Sequence, residues 1–190
     1  MKTSSSTPIF LASIYPEHLW IEVDFVGVQS LDRPKLNQVC LEKIHGYLQQ
    51  EMGVSVTEVT PSRSSINNFI WKLVNGFILG IEGVRVGFIP SEHLDIQGFD
   101  VPQEWVDLPN WVADYYVPIQ VDRASNCLRL WGFISHHDLK TKSHFDPIAQ
   151  NYEVSGDTVI NEIEALWMSC ELQADGELMP QPREIKPVAR

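Results

Sequence analysis

The sequence predicts an α+β fold, a curved antiparallel sheet or small barrel flanked by an N-terminal and a C-terminal helix. Three observations carry this. Pro34 to Met52 and Asp157 to Cys170 each repeat apolar residues at three- and four-residue spacing, which places them on one helix face. The chain between them holds short β-branched runs divided by tight-turn signals. With 190 residues and 44% hydrophobic content, the chain is long enough for one domain with its own core.

The elements follow in order. Residues 1–8 are Ser/Thr-rich and read as a disordered N-terminus, so the domain is expected over 9–172. The stretch from Tyr15 to Phe25 fits either a short helix opening at Pro16 or a strand from Leu19. In the first long helix, Leu36, Val39, Cys40, Ile44, Tyr47 and Leu48 share a face. Pro34 suits its first turn, and Gly53 suits the position after its last. Val54 to Val59 reads as a strand by β-branched content. Beyond a polar loop, Phe69 to Val74, Phe77 to Ile81 and Val84 to Ile89 read as a three-stranded meander. Its turns are Asn75-Gly76, a strong hairpin dipeptide, and the weaker Glu82-Gly83.

Pro90, Pro102 and Pro109 argue against long regular elements over 90–110, apart from one helical turn at Pro102 to Val106. Asp114 to Val121 and Cys127 to Ile134 form a second expected hairpin, interrupted by Pro118. A helical turn at Ser135 to Lys140, a short strand at Tyr152 to Val154 and the C-terminal helix complete the domain. The Pro-rich residues 173–190 read as a disordered tail. Val84 to Asp95 and Leu128 to Lys140 echo one another, each running apolar–Arg–apolar and then Gly-Phe-Ile. The first copy, with its GFIPSEHLD string, also suggests an SH3-like barrel element.

Charge excludes several functions. Fourteen Lys and Arg face 25 Asp and Glu, a formal net charge of −11. Nucleic-acid phosphates and anionic membrane surfaces both call for clustered cations, so no nucleic-acid and no membrane partner is expected. The N-terminus lacks the apolar core of a secretory signal, and no stretch is long enough to span a bilayer. The three cysteines, Cys40, Cys127 and Cys170, are far apart in apolar surroundings and read as buried thiols of a reducing cytosol. A cytoplasmic protein is therefore expected.

The run Val101-Pro102-Gln103-Glu104-Trp105-Val106-Asp107-Leu108-Pro109-Asn110-Trp111-Val112-Ala113-Asp114-Tyr115-Tyr116, with Leu128 to Phe133, His136 and Leu139-Lys140, resembles a cyanobacterial domain-of-unknown-function family, number 1822. Trp71 to Gly76 and Ile89 to Glu92 fit it too, so the likeness spans Trp71 to Trp167. The resemblance implies no activity and no catalytic residues. It implies association with alternative sigma factors or with CHAT-type, caspase-like protease systems, and hence a regulatory role.

The residues themselves offer one unusual surface. From Val86 to Asp122 the chain carries seven acids and no Lys or Arg, with Trp105, Trp111, Tyr115 and Tyr116 interleaved. Glu104, Trp105, Asp107, Trp111, Asp114 and Tyr115 are the candidate contacts for a basic protein partner, with the tryptophans as anchors and the acids steering. The competing reading makes the aromatics core and the acids a solvated face, which is what charge runs usually are.

Trp71, Trp131 and Trp167 fall on apolar patterns and read as core. His136, His137 and Asp138 form a possible polar site. It would serve the alternative reading, a small hydrolase or metal-dependent enzyme. Adjacent histidines on a helix point about 100° apart, however, and no HExxH frame, nucleophile elbow or phosphate loop is present. No cofactor and no metal is expected. The expected function is a non-enzymatic protein-binding, regulatory protein, and a structural subunit of an oligomer is the third reading.

Overall fold

A computed structural model describes residues 19–28, 32–59, 75–92, 98–160 and 162–174, with side chains up to residue 170. The fold is α+β, with a strongly curled, half-barrel sheet and helices at both ends of the chain. The proposed strand at Phe69 to Val74, the N-terminus and the tail beyond Ala174 lie outside the described residues.

The first element settles the early ambiguity in favour of a strand, β1 (Leu19–Glu22). Helix α1 (Arg33–Gln50) starts where the Asp32 side chain accepts a hydrogen bond from the Lys35 amide at 3.2 Å. Leu36, Cys40, Ile44 and Leu48 recur every fourth residue and are buried. The helix ends where the Glu51 amide bonds back to the Tyr47 carbonyl and Gly53 adopts a left-handed φ of 69°. Strands β2 (Val56–Glu58), β3 (Phe77–Ile81) and β4 (Val84–Ser91) follow. The weak turn signal Glu82-Gly83 joins β3 to β4 as a true hairpin.

Where the prolines argue against regular structure, the chain builds β5 (Gly98–Pro102) and the short helix α2 (Gln103–Asp107). Strand β6 (Tyr115–Asp122) then runs parallel to β4, the one parallel pair among the described residues of a sheet expected to be antiparallel. β7 (Cys127–Leu130), β8 (Ile134–Ser135), helix α3 (His136–Lys142), β9 (His144–Asp146) and β10 (Asn151–Ser155) lead to a 3-10 turn, Gly156–Thr158. Helix α4 (Ile163–Ala174) starts later than the periodicity predicts. Phe133 and Ile160 exchange two backbone bonds of 2.9 Å, which holds residue 160 extended and delays the helix.

The main sheet has the order β1-β7-β6-β4-β3-β2, with β8 beside β6, and a second sheet has the order β5-β10-β9. Pro118 interrupts nothing. It falls between Tyr115–Tyr116, which β8 pairs, and Ile119–Asp122, which β7 pairs. The two echoing segments fold differently. Val84 to Phe88 lies in one long strand, whereas Gly132, at φ 150°, breaks the second copy into β7 and β8.

Two cores lie on opposite faces of the main sheet. Alternate residues such as Leu79, Val86, Phe88, Ile119 and Leu128 face one core with α1 and α4, including Trp167. The other face presents Ile78, Gly87, Ile89 and Tyr116. Its cover is α2, α3 and the small sheet, which contribute Trp105, Leu139, Tyr152 and Val154. Toward β1 the sheet carries a different tie. The Arg129 guanidinium lies 5.1 Å from the Trp20 ring and 3.8 Å from that of Trp131, and the Trp131 indole N–H donates to Gln120 at 3.0 Å. Trp131 is thus half-buried on the sheet's other face and not the core residue its pattern suggests.

Trp105 is held by absence of side chain beneath it. A Cβ on Gly87 would lie 3.4 Å from the indole and 3.2 Å from the Tyr116 ring, and one on Gly76 would lie 3.1 Å from the indole. A large-to-small change here leaves a cavity that the rigid sheet fills poorly. Trp105→Ala should therefore cost about 3–5 kcal/mol of folding stability, measured by chemical denaturation. Gly87→Leu should be comparably damaging, and a near-native melt for either variant would refute this packing.

Candidate interaction surface

The six residues proposed to contact a partner separate into two groups. Trp105 is 1% exposed and Trp111 8%, so the expectation that they are surface anchors is overturned. Their rings lie 6.3 Å apart in the second core. The physical reason is that the sheet face over β3, β4 and β6 is apolar and must be covered. The Pro-punctuated segment folds across it and drives its indoles inward. Tyr115 is half-buried and packs edge-on against Phe133 at 5.6 Å, on the helix side of the sheet. Glu104, Asp107 and Asp114 stay exposed.

Cations distant in sequence meet two of the acids, Asp107 and Glu92. Lys140 on α3 donates to Asp107 Oδ1 at 2.6 Å and to the Tyr152 hydroxyl at 2.9 Å, and Gln103 donates to Asp107 Oδ2 at 3.0 Å. This clasp joins α2, α3 and β10. Burial alone would raise the Asp107 pKa, but the Lys140, Gln103 and Tyr152 contacts outweigh it and lower the value. Lys140 is raised, chiefly by its bond to Asp107. Arg123 pairs with Glu92 and donates to the Val28 carbonyl at 2.7 Å. Asp114 Oδ2 accepts from the Arg85 amide at 2.8 Å, and its own amide returns a bond to Arg85, which pins the start of β6 to β4.

Asp100 is placed differently. In β5 it stands directly opposite Glu153 of β10, and Glu153 in turn stands opposite His144 of β9. All three are exposed, while the flanking Val101, Tyr152 and Val154 point into the core. The outer face of the small sheet thus sets two carboxylates side by side. Sequence reasoning missed Glu153 because it lies 31 residues beyond the acidic run, and only the pairing register brings it to Asp100.

The His136, His137 and Asp138 group forms the first turn of α3 and does not converge as a site. Ser135 caps the helix, its hydroxyl accepting from the Asp138 amide at 3.1 Å. His136 Nδ1 lies 3.3 Å from the Tyr116 hydroxyl, which donates to the Trp105 carbonyl at 2.7 Å. His137 is exposed, and Asp138 pairs with Lys142 one turn later at 3.0 Å, which lowers its pKa. Among the described residues, no three His, Cys, Asp or Glu side chains are grouped to hold a metal ion. No described helix is long and apolar enough to cross a membrane.

A family model described as a protein of unknown function, DUF1822, matches residues 30–188. The chain belongs to this family. No curated protein and no solved structure matches it. The tryptophan-rich string that marks the DUF1822 resemblance is, in this fold, the cover of the second core. It is a signature of packing.

Two buried thiols and a buried phenol give this chain an alkaline limit. Burial pushes the Cys40 thiol up to about 12 from its ordinary 9.0, and it raises Cys127 and the Tyr116 phenol as well. The unfolded chain releases these protons near the ordinary values while the folded chain still holds them. Stability is therefore intact below pH 9 and falls as pH rises from about 9 through 12. Melting temperatures measured across that window should drop progressively, and Cys40→Ala should reduce the slope.

Proposed function

We propose that this protein is a non-enzymatic, regulatory binding protein of the cytoplasm, docking a basic protein partner on the outer face of the small sheet and the adjoining helix α2. The observation that carries this reading is the direct opposition of Asp100 and Glu153 at exposed positions. Like charges facing one another across an antiparallel pair cost roughly 0.2–1 kcal/mol in the folded state. A cationic partner recovers that cost on binding. With a formal charge of −11 the whole chain adds long-range attraction, which raises the rate of encounter with a basic surface. Glu104, exposed on α2 immediately after β5, extends the same patch.

The tryptophans contribute indirectly. Trp105 and Trp111 pack beneath α2 and hold the carboxylates on a rigid base, so little conformational entropy is lost on docking.

The double variant Asp100→Asn, Glu153→Gln separates stability from binding. It should fold as well as the native protein or better, gaining up to ~1 kcal/mol by removal of the repulsion. Its affinity for a lysine homopeptide, measured by titration calorimetry at low salt, should fall by about threefold or more, with a flatter salt dependence. Unchanged affinity would refute the assignment of this face.

A further inference from the structure

We propose that Ile148, at the tip of the β9–β10 hairpin, is the apolar anchor of this docking surface and seats in an apolar recess of the basic partner. The inference rests on the reading above and adds the contact that fixes the partner in place after electrostatic encounter.

Ile148 is 93% exposed, the extreme among the exposed large apolar side chains of the described residues. Isolated surface apolar residues are common and carry little meaning singly. This one is distinguished by how firmly its backbone is held. Asp146 Oδ1 accepts from the amides of Ile148 at 2.7 Å and Ala149 at 3.2 Å. Gln150 takes a left-handed φ of 57° and donates from its side chain to the Pro147 carbonyl. The Gln103 amide bonds to the Gln150 carbonyl at 2.9 Å, tying the turn to the start of α2. A fixed loop that presents a bare branched side chain loses little entropy when that side chain is buried by a partner.

The register sets the tip beside the acids. Asn151 pairs with Asp146 at the base of the turn, and Glu153 follows two residues later, ~7 Å along the strand. Asp100 lies opposite Glu153, and Glu104 follows Gln103, which is bonded to the turn. One exposed apolar side chain and three exposed carboxylates thus stand on the small sheet, its end turn and the helix bonded to that turn. Charge complementarity selects the occupant. A second copy of this acidic chain would bring like charges together, whereas a basic protein would neutralise them.

The test uses two peptides of equal length and charge, a lysine homopeptide and one in which two positions are phenylalanine. The full chain is titrated with each, and the contact residues are mapped by amide chemical-shift changes. Expected is about fivefold tighter binding of the phenylalanine peptide, with shifts at residues 146–150. That gain should vanish in Ile148→Ala, whose melting temperature stays native, while homopeptide affinity stays unchanged. No gain from phenylalanine, or a gain that survives Ile148→Ala, would overturn the anchor and leave the acidic face standing. Failure of the homopeptide itself to bind would overturn both.

Discussion

The seating of Trp105 against Gly87 is the contact on which the second half of the molecule depends. Strands β3, β4 and β6 are apolar on both faces, so a cover of helices on one side leaves the other exposed to water. Glycine at 87 lets the Tyr116 ring and the indole lie close to the sheet, where a Cβ would stand 3.2 Å and 3.4 Å from them. Tyr116 completes the seat by donating to the Trp105 carbonyl and accepting from the Ala113 amide at 3.3 Å. With the indole fixed, α2 is fixed. The strand before α2 pairs with β10, and the small sheet takes its place over the second core.

This order of dependence explains why the acids face outward together. In β5 and β10 the alternation of side chains leaves Asp100 and Glu153 no choice once Val101, Tyr152 and Val154 are inside. Other acids are drawn into ties that hold the layers. Asp107 clasps Lys140 and Tyr152, Glu92 meets Arg123, and Asp114 splices β6 to β4. The structural ties and Asp100 and Glu104 of the proposed docking face are drawn from one acidic stretch, divided by whether the fold brings a hydrogen-bond donor or another carboxylate alongside, and Glu153 joins them from β10.

Much of the fold was legible because it rests on local pattern. The four-residue spacing of Leu36, Cys40, Ile44 and Leu48 announced α1, and Pro34 and Gly53 marked its ends. The hairpin at Glu82-Gly83 was equally local. The parallel pairing of β4 with β6 was not, since it joins residues about 29 positions apart through a crossover that leaves no periodic signal. Trp105 and Trp111 were read as anchors because proline-rich sequence suggests a loop. Their burial comes from the apolar sheet face they cover, with Ile78, Ile89 and Tyr116 contributed from distant strands. Glu153 and Ile148 were illegible for the same reason, as their importance arises from register and exposure. The tie of Trp20, Arg129 and Trp131 likewise follows from β1 pairing with β7.

The tryptophans of the marker string are interior, and the carboxylates beside them form the outer surface. Biosynthetic replacement by 5-fluorotryptophan, with assignment through single Trp→Phe variants, tests this arrangement by fluorine resonance in the presence of a soluble paramagnetic chelate. Trp105 and Trp111 should show little relaxation enhancement, while Trp20, 44% exposed on β1, should broaden strongly. Broadening of Trp105 and Trp111 to the extent seen for Trp20 would contradict the account and return those indoles to the surface.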